Sequence, residues 1–496
     1  MTGRYHLVTL GCPKNAVDSD KIATALGADG LTPTADAAAA DVVVVNTCAF
    51  VEDARRESID TILALADVRA DGARLVVTGC LAERYGDELA EALPEVDAVV
   101  GFAGAGSIAA LAGPGVPGVG NVTFVGRASA PNRSDAPNSP SPPNPPTGVR
   151  DLLELPRAAT GASWAYVKVA EGCDRACAFC AIPTFRGAQR SRTPDSIVAE
   201  ARTLVEGGTR ELVLVAQDLA WYGRDAGEVG ALAGILRRLD AELVPSGLAR
   251  VRLLYLYPSE VRDPLISTML DLESVVPYFD LSLQHASAPL LRRMARWGDG
   301  ARFADAIASI RARAPHATFR SSFIVGFPGE TEADHDALLA FLDDVALDWA
   351  GFFPYSAEEG TAAAGLDGVV DPALVVERLG ECEERQTAIT QAARDDLVAA
   401  EVILEVLVDE VGRGDPGDAG EPGAVDESGA SEITGATGDV AWAIGRTHRE
   451  APEIDGVVVV VADDGSAPAP VGAVVRARAV AALGPDLRAA AIGGTP

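Results

Sequence analysis

Residues 164–185 read WAYVKVAEGCDRACAFCAIPTF, an apolar strand-like run followed at once by three cysteines. Cys173, Cys177 and Cys180 have the spacing CxxxCxxC, which suits an iron–sulfur cluster because soft thiolates are its preferred ligands. The triplet lacks a fourth cysteine, so one iron of a cube would keep an open coordination position. The alternatives are three unrelated thiols or a zinc site. Zinc would require a fourth cysteine or histidine nearby, and none follows within the next hundred residues.

The triplet lies within a series of strand-like runs that are separated by helix-length segments. The runs between residues 159 and 356 are WAYVKVA, ELVLVA, VRLLYL, YFDLSL, TFRSSFIV and WAGFFPY. Six strand–helix repeats predict a partial (β/α) barrel, shorter than the eight repeats of a closed barrel. Because barrel enzymes place their active sites at the carboxyl ends of the strands, the triplet lies where chemistry is expected. A long helix is predicted to follow at 372–399.

The N-terminal part predicts an open parallel α/β sheet of its own. HLVTL, DVVVVN and ARLVVT are typical of buried strands, and the stretches near 17–27, 52–68 and 82–92 are typical of helices. Cys12, Cys48 and Cys80 each follow one of these strands by one to three residues. Since the carboxyl ends of parallel strands share one edge, the three thiols should converge there. The alternative is three small buried side chains without a ligand.

The remaining sequence predicts a linker and a small β-barrel. Residues 127–147 contain seven prolines and no apolar periodicity. Beyond residue 400, the runs EVILEVLVD, DVAWAIGR, IDGVVVVVAD and GAVVRARAVAAL indicate short strands of a barrel. We expect the following division of the chain: an N-terminal domain 1–125, a proline-rich linker 126–150, a core 151–390, and a barrel domain 391–496 with a disordered acidic insert 412–438.

Composition excludes several classes of protein. The 496 residues include 72 acidic and 41 basic side chains, a formal charge of −31, so bulk attraction to nucleic acid or to an anionic membrane is not expected. The start of the chain lacks the apolar run of a signal peptide, and nowhere do eighteen apolar residues run unbroken, which favours a cytoplasmic protein. Only three basic residues are lysines. We attribute this to codon bias in a GC-rich genome and assign it no function.

The CxxxCxxC triplet resembles the signature of the radical S-adenosylmethionine (SAM) superfamily. Both triplets together with the barrel tail resemble the methylthiotransferase family over nearly the whole chain. The resemblance implies an N-terminal methylthiotransferase domain, a radical SAM core and a C-terminal TRAM domain. It also implies two 4Fe-4S clusters, one on each triplet, with SAM chelated by the open iron of the core cluster and cleaved to a 5′-deoxyadenosyl radical. Cys173, Cys177 and Cys180 then generate the radical, while the N-terminal cluster handles the sulfur.

The motifs LGCPKNAVDSD, NTCAFVEDARRESID and GRTHREAPEIDG resemble one branch of that family. The branch adds a methylthio group to the β-carbon of an aspartate in small-subunit ribosomal protein uS12. It implies that protein as partner, with a sulfur donor and an electron donor such as flavodoxin or ferredoxin. From residue 401 onward the chain has 17 acidic residues and 6 arginines, which suits a basic protein partner. A tRNA adenosine methylthiotransferase and a non-catalytic iron–sulfur protein that binds the ribosome or senses redox state remain alternatives.

The resemblance also suggests further contacts to SAM. The glycine pair Gly207 and Gly208 is a candidate, although a helix C-cap explains it equally well. Gln217 and Gln284 end the second and fourth predicted strands and should face the barrel mouth. Arg320 matches a segment that the superfamily places beside the cofactor. Two roles stay open: His285 is either an active-site or a core histidine, and Arg186 either clamps a carboxylate or is solvated.

Overall fold

A computed structural model describes residues 3–105, 108, 123–125, 151–413, 441–461 and 469–492. The predicted linker and residues 414–438 of the predicted acidic insert lie outside this part of the chain. Residues 412 and 413, which we assigned to the insert, end a β-strand instead. None of the helices described is long and apolar enough to cross a membrane.

The N-terminal unit is the predicted parallel α/β sheet. Its six strands lie in the order β2–β1–β3–β4–β5–β6, and every neighbouring pair is parallel. The strands are β1 Arg4–Thr9, β2 Thr32–Pro33, β3 Val42–Thr47, β4 Arg74–Gly79, β5 Ala98–Val100 and β6 Thr123–Val125. The helices are α1 Pro13–Ala28, α2 Glu52–Val68 and α3 Cys80–Ala92. All six residues of β3 (VVVVNT) are buried, as expected of a central parallel strand covered on both faces.

The core is the predicted partial barrel. Two three-stranded parallel sheets, β11–β10–β7 and β12–β13–β14, are joined by bridges between Val251 and Val275 and between Leu256 and Leu281. The strands of the core are β7 Trp164–Lys168, β8 Ala170–Glu171, β9 Arg190–Ser191, β10 Glu211–Val215, β11 Arg250–Leu253, β12 Tyr278–Gln284, β13 Thr318–Val325 and β14 Trp349–Pro354. Its helices are α4 Ile182–Phe185, α5 Pro194–Glu206, α6 Ala231–Leu243, α7 Asp263–Asp271, α8 Ala288–Arg293, α9 Gly300–Arg313, α10 Glu332–Val345 and α11 Pro372–Ala399.

The C-terminal unit is a closed five-stranded barrel with the order β15–β16–β17–β19–β18. Its strands are β15 Ile403–Arg413, β16 Ala441–Arg446, β17 Val458–Val461, β18 Val474–Leu483 and β19 Asp486–Ala491. The strand β19 was not predicted from the sequence, because DLRAAA has little intrinsic preference for a strand. It forms by pairing antiparallel with β18 and parallel with β17, which closes the barrel.

The segment Thr447–Gly456, between β16 and β17, packs against the amino ends of the core strands. Trp349, the first residue of β14, donates its indole N–H to the carbonyl of Arg449 at 2.7 Å. Tyr278, the first residue of β12, donates its hydroxyl to Asp455 at 2.6 Å. The C-terminal unit therefore packs against the end of the core barrel at which the strands begin.

All three units contribute to one apolar cluster at the centre of the molecule. Val17 of α1 and Ala451 of the C-terminal unit are fully buried beside Tyr166, Leu254 and Tyr278 of the core. Helix α1 and the segment 447–456 thus pack against the same strands of the partial barrel. This packing fixes the orientation of the N-terminal sheet relative to the barrel.

Candidate functional site

The N-terminal cysteines lie at the carboxyl ends of three strands, β1, β3 and β4, that are neighbours in the sheet. Cys12 precedes α1, Cys48 directly follows β3, and Cys80 is the first residue of α3. Cys48 and Cys80 are buried, and Cys12 is half-buried. The structure therefore brings the three predicted side chains to one edge.

Two glycines allow the backbone at these three strand ends to pack closely together. A Cβ on Gly11 would lie 2.8 Å from Sγ of Cys48, and one on Gly79 would lie 2.5 Å from the carbonyl oxygen of Thr47. Both glycines also have φ of +92°, a conformation that other residues rarely adopt. Asn15 fixes the strand ends, because its amide N–H₂ donates to the carbonyls of Leu10 at 2.9 Å and Thr47 at 3.0 Å. Larger residues at either glycine would force these strand ends apart.

Burial acts on the acidity of these thiols. It raises the pKa of Cys80 to about 12, although Arg186 opposes the shift, and it also raises the pKa of Cys48. For Cys12, burial works in the same direction but is outweighed by Lys14 and Arg186, so its pKa lies below the ordinary value. A bound metal deprotonates a coordinating thiol. Three thiols gathered at one edge, with cationic side chains beside them, fit a metal cluster.

The second triplet lies in the loop after β8, at the mouth of the core barrel. The backbone N–H of Cys173 donates to Gly187, and that of Cys180 donates to Cys177. Burial raises the pKa of Cys173 to about 11 and that of Cys180 to about 12. Among the residues described, no three His, Cys, Asp or Glu side chains are arranged around a single metal ion. Without a fourth cysteine or histidine within the next hundred residues, the triplet lacks the four ligands of a structural zinc site.

Two arginines enclose the core triplet. Arg296 donates to Sγ of Cys177 at 3.3 Å, and Arg175 donates through Nε to Asp218 at 2.7 Å. Both guanidinium groups lie on the ring of Tyr257, at 4.0 and 3.8 Å from its centroid. Hydrogen bonds to cluster sulfurs are one of the factors that set the potential of an iron–sulfur cluster. The site therefore has cationic groups suited to an anionic cluster.

A chain of buried charges connects the two triplets. Arg186, in the loop after α4, donates to Sγ of Cys80 at 2.9 Å, to Asn15 at 2.7 Å and to Glu171 at 2.7 Å. Glu171 directly follows Ala170 in β8, two residues before Cys173, and it also accepts from Lys168 at 2.8 Å. Burial would raise the pKa of Glu171, but Arg186 and Lys168 hold it well below its ordinary value. An ionised carboxylate therefore links the two sites.

Two of the predicted SAM contacts, Gln217 and Gln284, lie at the carboxyl ends of core strands. Gln217 is at the mouth, where its Nε2 donates to Glu171 at 2.8 Å, while its Oε1 and Oδ1 of Asp218 are buried without a partner among the described residues. Unpaired buried acceptors beside the cysteine triplet fit a polar cofactor such as SAM. Gln284 ends β12 with φ of +72°, a strained conformation typical of functional sites.

Three other predicted contacts lie elsewhere. Gly207 caps α5 and Gly208 follows it, so both lie at the amino end of β10, opposite to the mouth. Gly207 serves as the helix C-cap, and a contact of the pair with SAM stays a prediction. Arg320 is the third residue of β13, and its guanidinium pairs with Asp280 at 3.2 Å and with Asp455 of the C-terminal unit at 3.4 Å. These ion pairs join the core to the C-terminal unit, and the predicted contact of Arg320 with the cofactor stays a prediction.

Two side chains that were left open are settled by burial. His285 is fully buried, with its Nδ1 accepting from the backbone N–H of Ser287 at 3.0 Å, so it is a core histidine. Arg186 is also buried and is not solvated.

Comparison with known proteins gives the family. Family profiles match at residues 4–101 (uncharacterized protein family UPF0004), 167–342 (radical SAM superfamily) and 433–492 (TRAM domain). Proteins named ribosomal protein uS12 methylthiotransferase RimO are similar over almost the whole chain. The one from Cutibacterium acnes is 41% identical over 97% of this chain and 96% of its own. Those from Frankia casuarinae and Streptomyces coelicolor are 44% and 40% identical, covering 83% and 99% of this chain and 80% and 97% of their own.

This chain belongs to the RimO family. It is a radical SAM methylthiotransferase, and its radical SAM domain implies a 4Fe-4S cluster and SAM as cofactors.

Several side chains of this RimO-family site were missed from the sequence. Asn15, Lys168 and Glu171 join the units but have no motif that gives their partners. The signal that was available is position, because all three lie within a few residues of a predicted cysteine ligand.

Proposed function

We propose that this chain transfers a methylthio group to the β-carbon of an aspartate in ribosomal protein uS12. The observation that carries the proposal is the joining of two three-cysteine sites, on different units, through Arg186 and Glu171. The names of relatives that match nearly end to end support the choice of uS12. Because this substrate is made in the cytoplasm, we also propose a cytoplasmic location.

We assign a 4Fe-4S cluster to each triplet. Cys173, Cys177 and Cys180 would hold the cluster that binds SAM, with Gln217 and Gln284 at the same mouth. Cys12, Cys48 and Cys80 would hold a second cluster, which handles the sulfur. When bound, these groups supply one-electron reduction, a carbon-centred radical and the transferred sulfur and methyl. An electron donor such as flavodoxin or ferredoxin and a separate sulfur donor complete the proposed partners.

The protein's own residues position and isolate these groups. Arg186 and Arg296 donate hydrogen bonds to one sulfur of each site. Arg175 fixes Asp218 next to the core triplet. Apolar residues of α1 and of segment 447–456 pack against the core strands in the interior between the units, beside the buried charges described above. Exclusion of water protects a reactive radical from side reactions.

The assignment is tested with cysteine variants of the anaerobically reconstituted chain. We expect about eight irons per chain for the parent and about four for either single-site variant, since each cube holds four. Cys173→Ala should abolish SAM cleavage, whereas Cys48→Ala should cleave SAM and fail to insert sulfur. Cys382→Ala is the matched control, because Cys382 is a buried cysteine that belongs to neither triplet, and its loss should change neither property. Iron near four in the parent, or unchanged sulfur insertion by Cys48→Ala, would contradict the proposal.

A further inference from the structure

Lys14 is a buried cation with no carboxylate partner among the residues that the structure describes. The chain contains only three lysines, Lys14, Lys21 and Lys168, and all three are buried. Lys21 pairs with Glu200 at 3.6 Å, and Lys168 donates to both Asp18 and Glu171. Within the described part of the chain Lys14 forms no ion pair, and its exposed fraction is 8%. Lys14 thus differs from the other two lysines in having no ion-pair partner, and codon bias does not account for this difference.

Burial disfavours the charge of Lys14, but Tyr255 and Cys12 outweigh burial and raise the pKa of its ammonium above the ordinary value. Its ammonium lies 3.5 Å from the centroid of the Tyr255 ring, a cation–π contact. Asp280 is the acidic residue bound to Tyr255, but its oxygens accept from the Tyr255 backbone at 2.8 Å and from Arg320 at 3.2 Å. A buried ammonium is normally paired with an anion. The structure therefore leaves Lys14 able to bind one.

The position of Lys14 indicates which anion this would be. Lys14 follows Cys12 by two residues, at the carboxyl edge of the N-terminal sheet. Tyr255 follows the end of β11 by two residues, at the mouth of the core barrel, and has φ of +64°. The contact between them crosses the gap between the N-terminal unit and the core. A strained residue that holds a cation in this gap is typical of a substrate-binding site.

We propose that Lys14 binds the side-chain carboxylate of the substrate aspartate, an inference that rests on the function proposed above. The β-carbon of an aspartate is bonded directly to that carboxylate. A fixed ammonium would therefore hold the β-carbon between the site that forms the radical and the site that supplies sulfur. Arg186 is not available for this role, because it already donates to Cys80, Asn15 and Glu171.

The test is a double-mutant cycle measured by binding. The reconstituted chain, without reductant or SAM, is titrated with uS12 and with uS12 carrying asparagine at the target position. For the parent we expect the asparagine form to bind about tenfold more weakly, as for loss of a charged hydrogen bond. Lys14→Met should bind uS12 about tenfold more weakly than the parent and should not distinguish the two forms. Lys14→Arg should retain part of the discrimination.

Iron content and uncoupled SAM cleavage separate binding from cluster assembly. Both are measured for the parent and for Lys14→Met, and binding is compared between preparations of equal iron content. Arg202→Met is the matched control, since it removes an exposed cation on α5, and it should bind both uS12 forms as the parent does. Undiminished discrimination in Lys14→Met would overturn the role of Lys14. Failure of the parent chain to modify uS12 would instead overturn the proposed function and the inference with it.

Discussion

At the scale of single residues, Arg186 connects the two cysteine sites. Its side chain is 3% exposed and donates to a thiol, an amide and a carboxylate on different elements. Removing one member of a buried ion pair leaves the other charge without compensation. A surface ion pair contributes much less, because water and salt screen it.

We therefore expect Arg186→Gln to lower the free energy of unfolding by about 3–5 kcal/mol, measured by urea unfolding. The matched control is Arg190→Gln. Arg190 is 49% exposed and pairs with Asp151, so its loss should cost less than about 1 kcal/mol. Equal losses in the two variants would show that Arg186 does not have a special structural role.

His285 gives a prediction for pH. Burial lowers its pKa to about 4, although the nearby Asp334 opposes the shift. Between about 6.5 and 4 the unfolded chain is then protonated at this site and the native chain is not, so stability should fall as pH falls through this range. The slope attributable to His285 is at most about 1.4 kcal/mol per pH unit. Thermal unfolding of His285→Asn at pH 7 and pH 5 should show a smaller difference than the parent shows; an identical difference would contradict the assignment.

The residues that the sequence predicted well are those with a motif. Cys12, Cys48 and Cys80 could be grouped because each follows a strand, and parallel strands share an edge. The partners of Arg186 could not be predicted, because Cys80 and Asn15 are 106 and 171 positions away in sequence. The role of Gly207 and Gly208 could not be fixed from the sequence, because a glycine pair at a helix end has the same appearance as a pair at a cofactor.

At the scale of elements, the segment 447–456 is part of the core. Tyr278, Trp349 and Arg252 all donate to it, the last at 2.8 Å to the carbonyl of His448. A chain truncated near residue 395 would leave these buried donors without partners. We therefore expect such a truncation to destabilise the core itself, so truncation is a poor test of substrate docking.

Tyr278→Phe tests this packing directly. Loss of the hydroxyl leaves Asp455 short of a donor in a buried site, and we expect a cost of about 1–3 kcal/mol in urea unfolding. Tyr355→Phe is the matched control, because the Tyr355 hydroxyl is buried with no hydrogen-bond partner in the described part of the chain. Its removal should be neutral or stabilising. A cost for Tyr355→Phe as large as that for Tyr278→Phe would contradict the account.

Helix and strand positions were largely predictable from apolar periodicity, as the helices at 52–68 and 372–399 show. The strand β19 was not, because its stability comes from pairing with β17 and β18. The docking of segment 447–456 was also unpredictable, since its contacts join residues from opposite ends of the chain.

At the scale of the whole molecule, the units are joined by ion pairs as well as by the apolar interior. Glu358 of the core pairs with Arg55 at 2.5 Å and Arg84 at 2.7 Å, both on N-terminal helices. Acidic groups of the C-terminal unit are also used internally: Asp409 pairs with Arg446, and Glu450 with Arg394, each at 2.7 Å. The acidic charge of the tail is thus partly neutralised within the fold, which weakens the case for docking a basic partner through these residues.

We propose that the two cysteine sites, linked through Arg186 and Glu171, together perform the methylthiolation of uS12. The most direct measurement is the intact mass of uS12 from a deletion strain that carries the parent, Cys48→Ala or Cys173→Ala. We predict that only the parent replaces one hydrogen of uS12 with one methylthio group, located by fragmentation on an aspartate. The contradicting result is an unchanged mass of uS12 in all strains, together with a methylthio-adenosine in tRNA that depends on the parent chain.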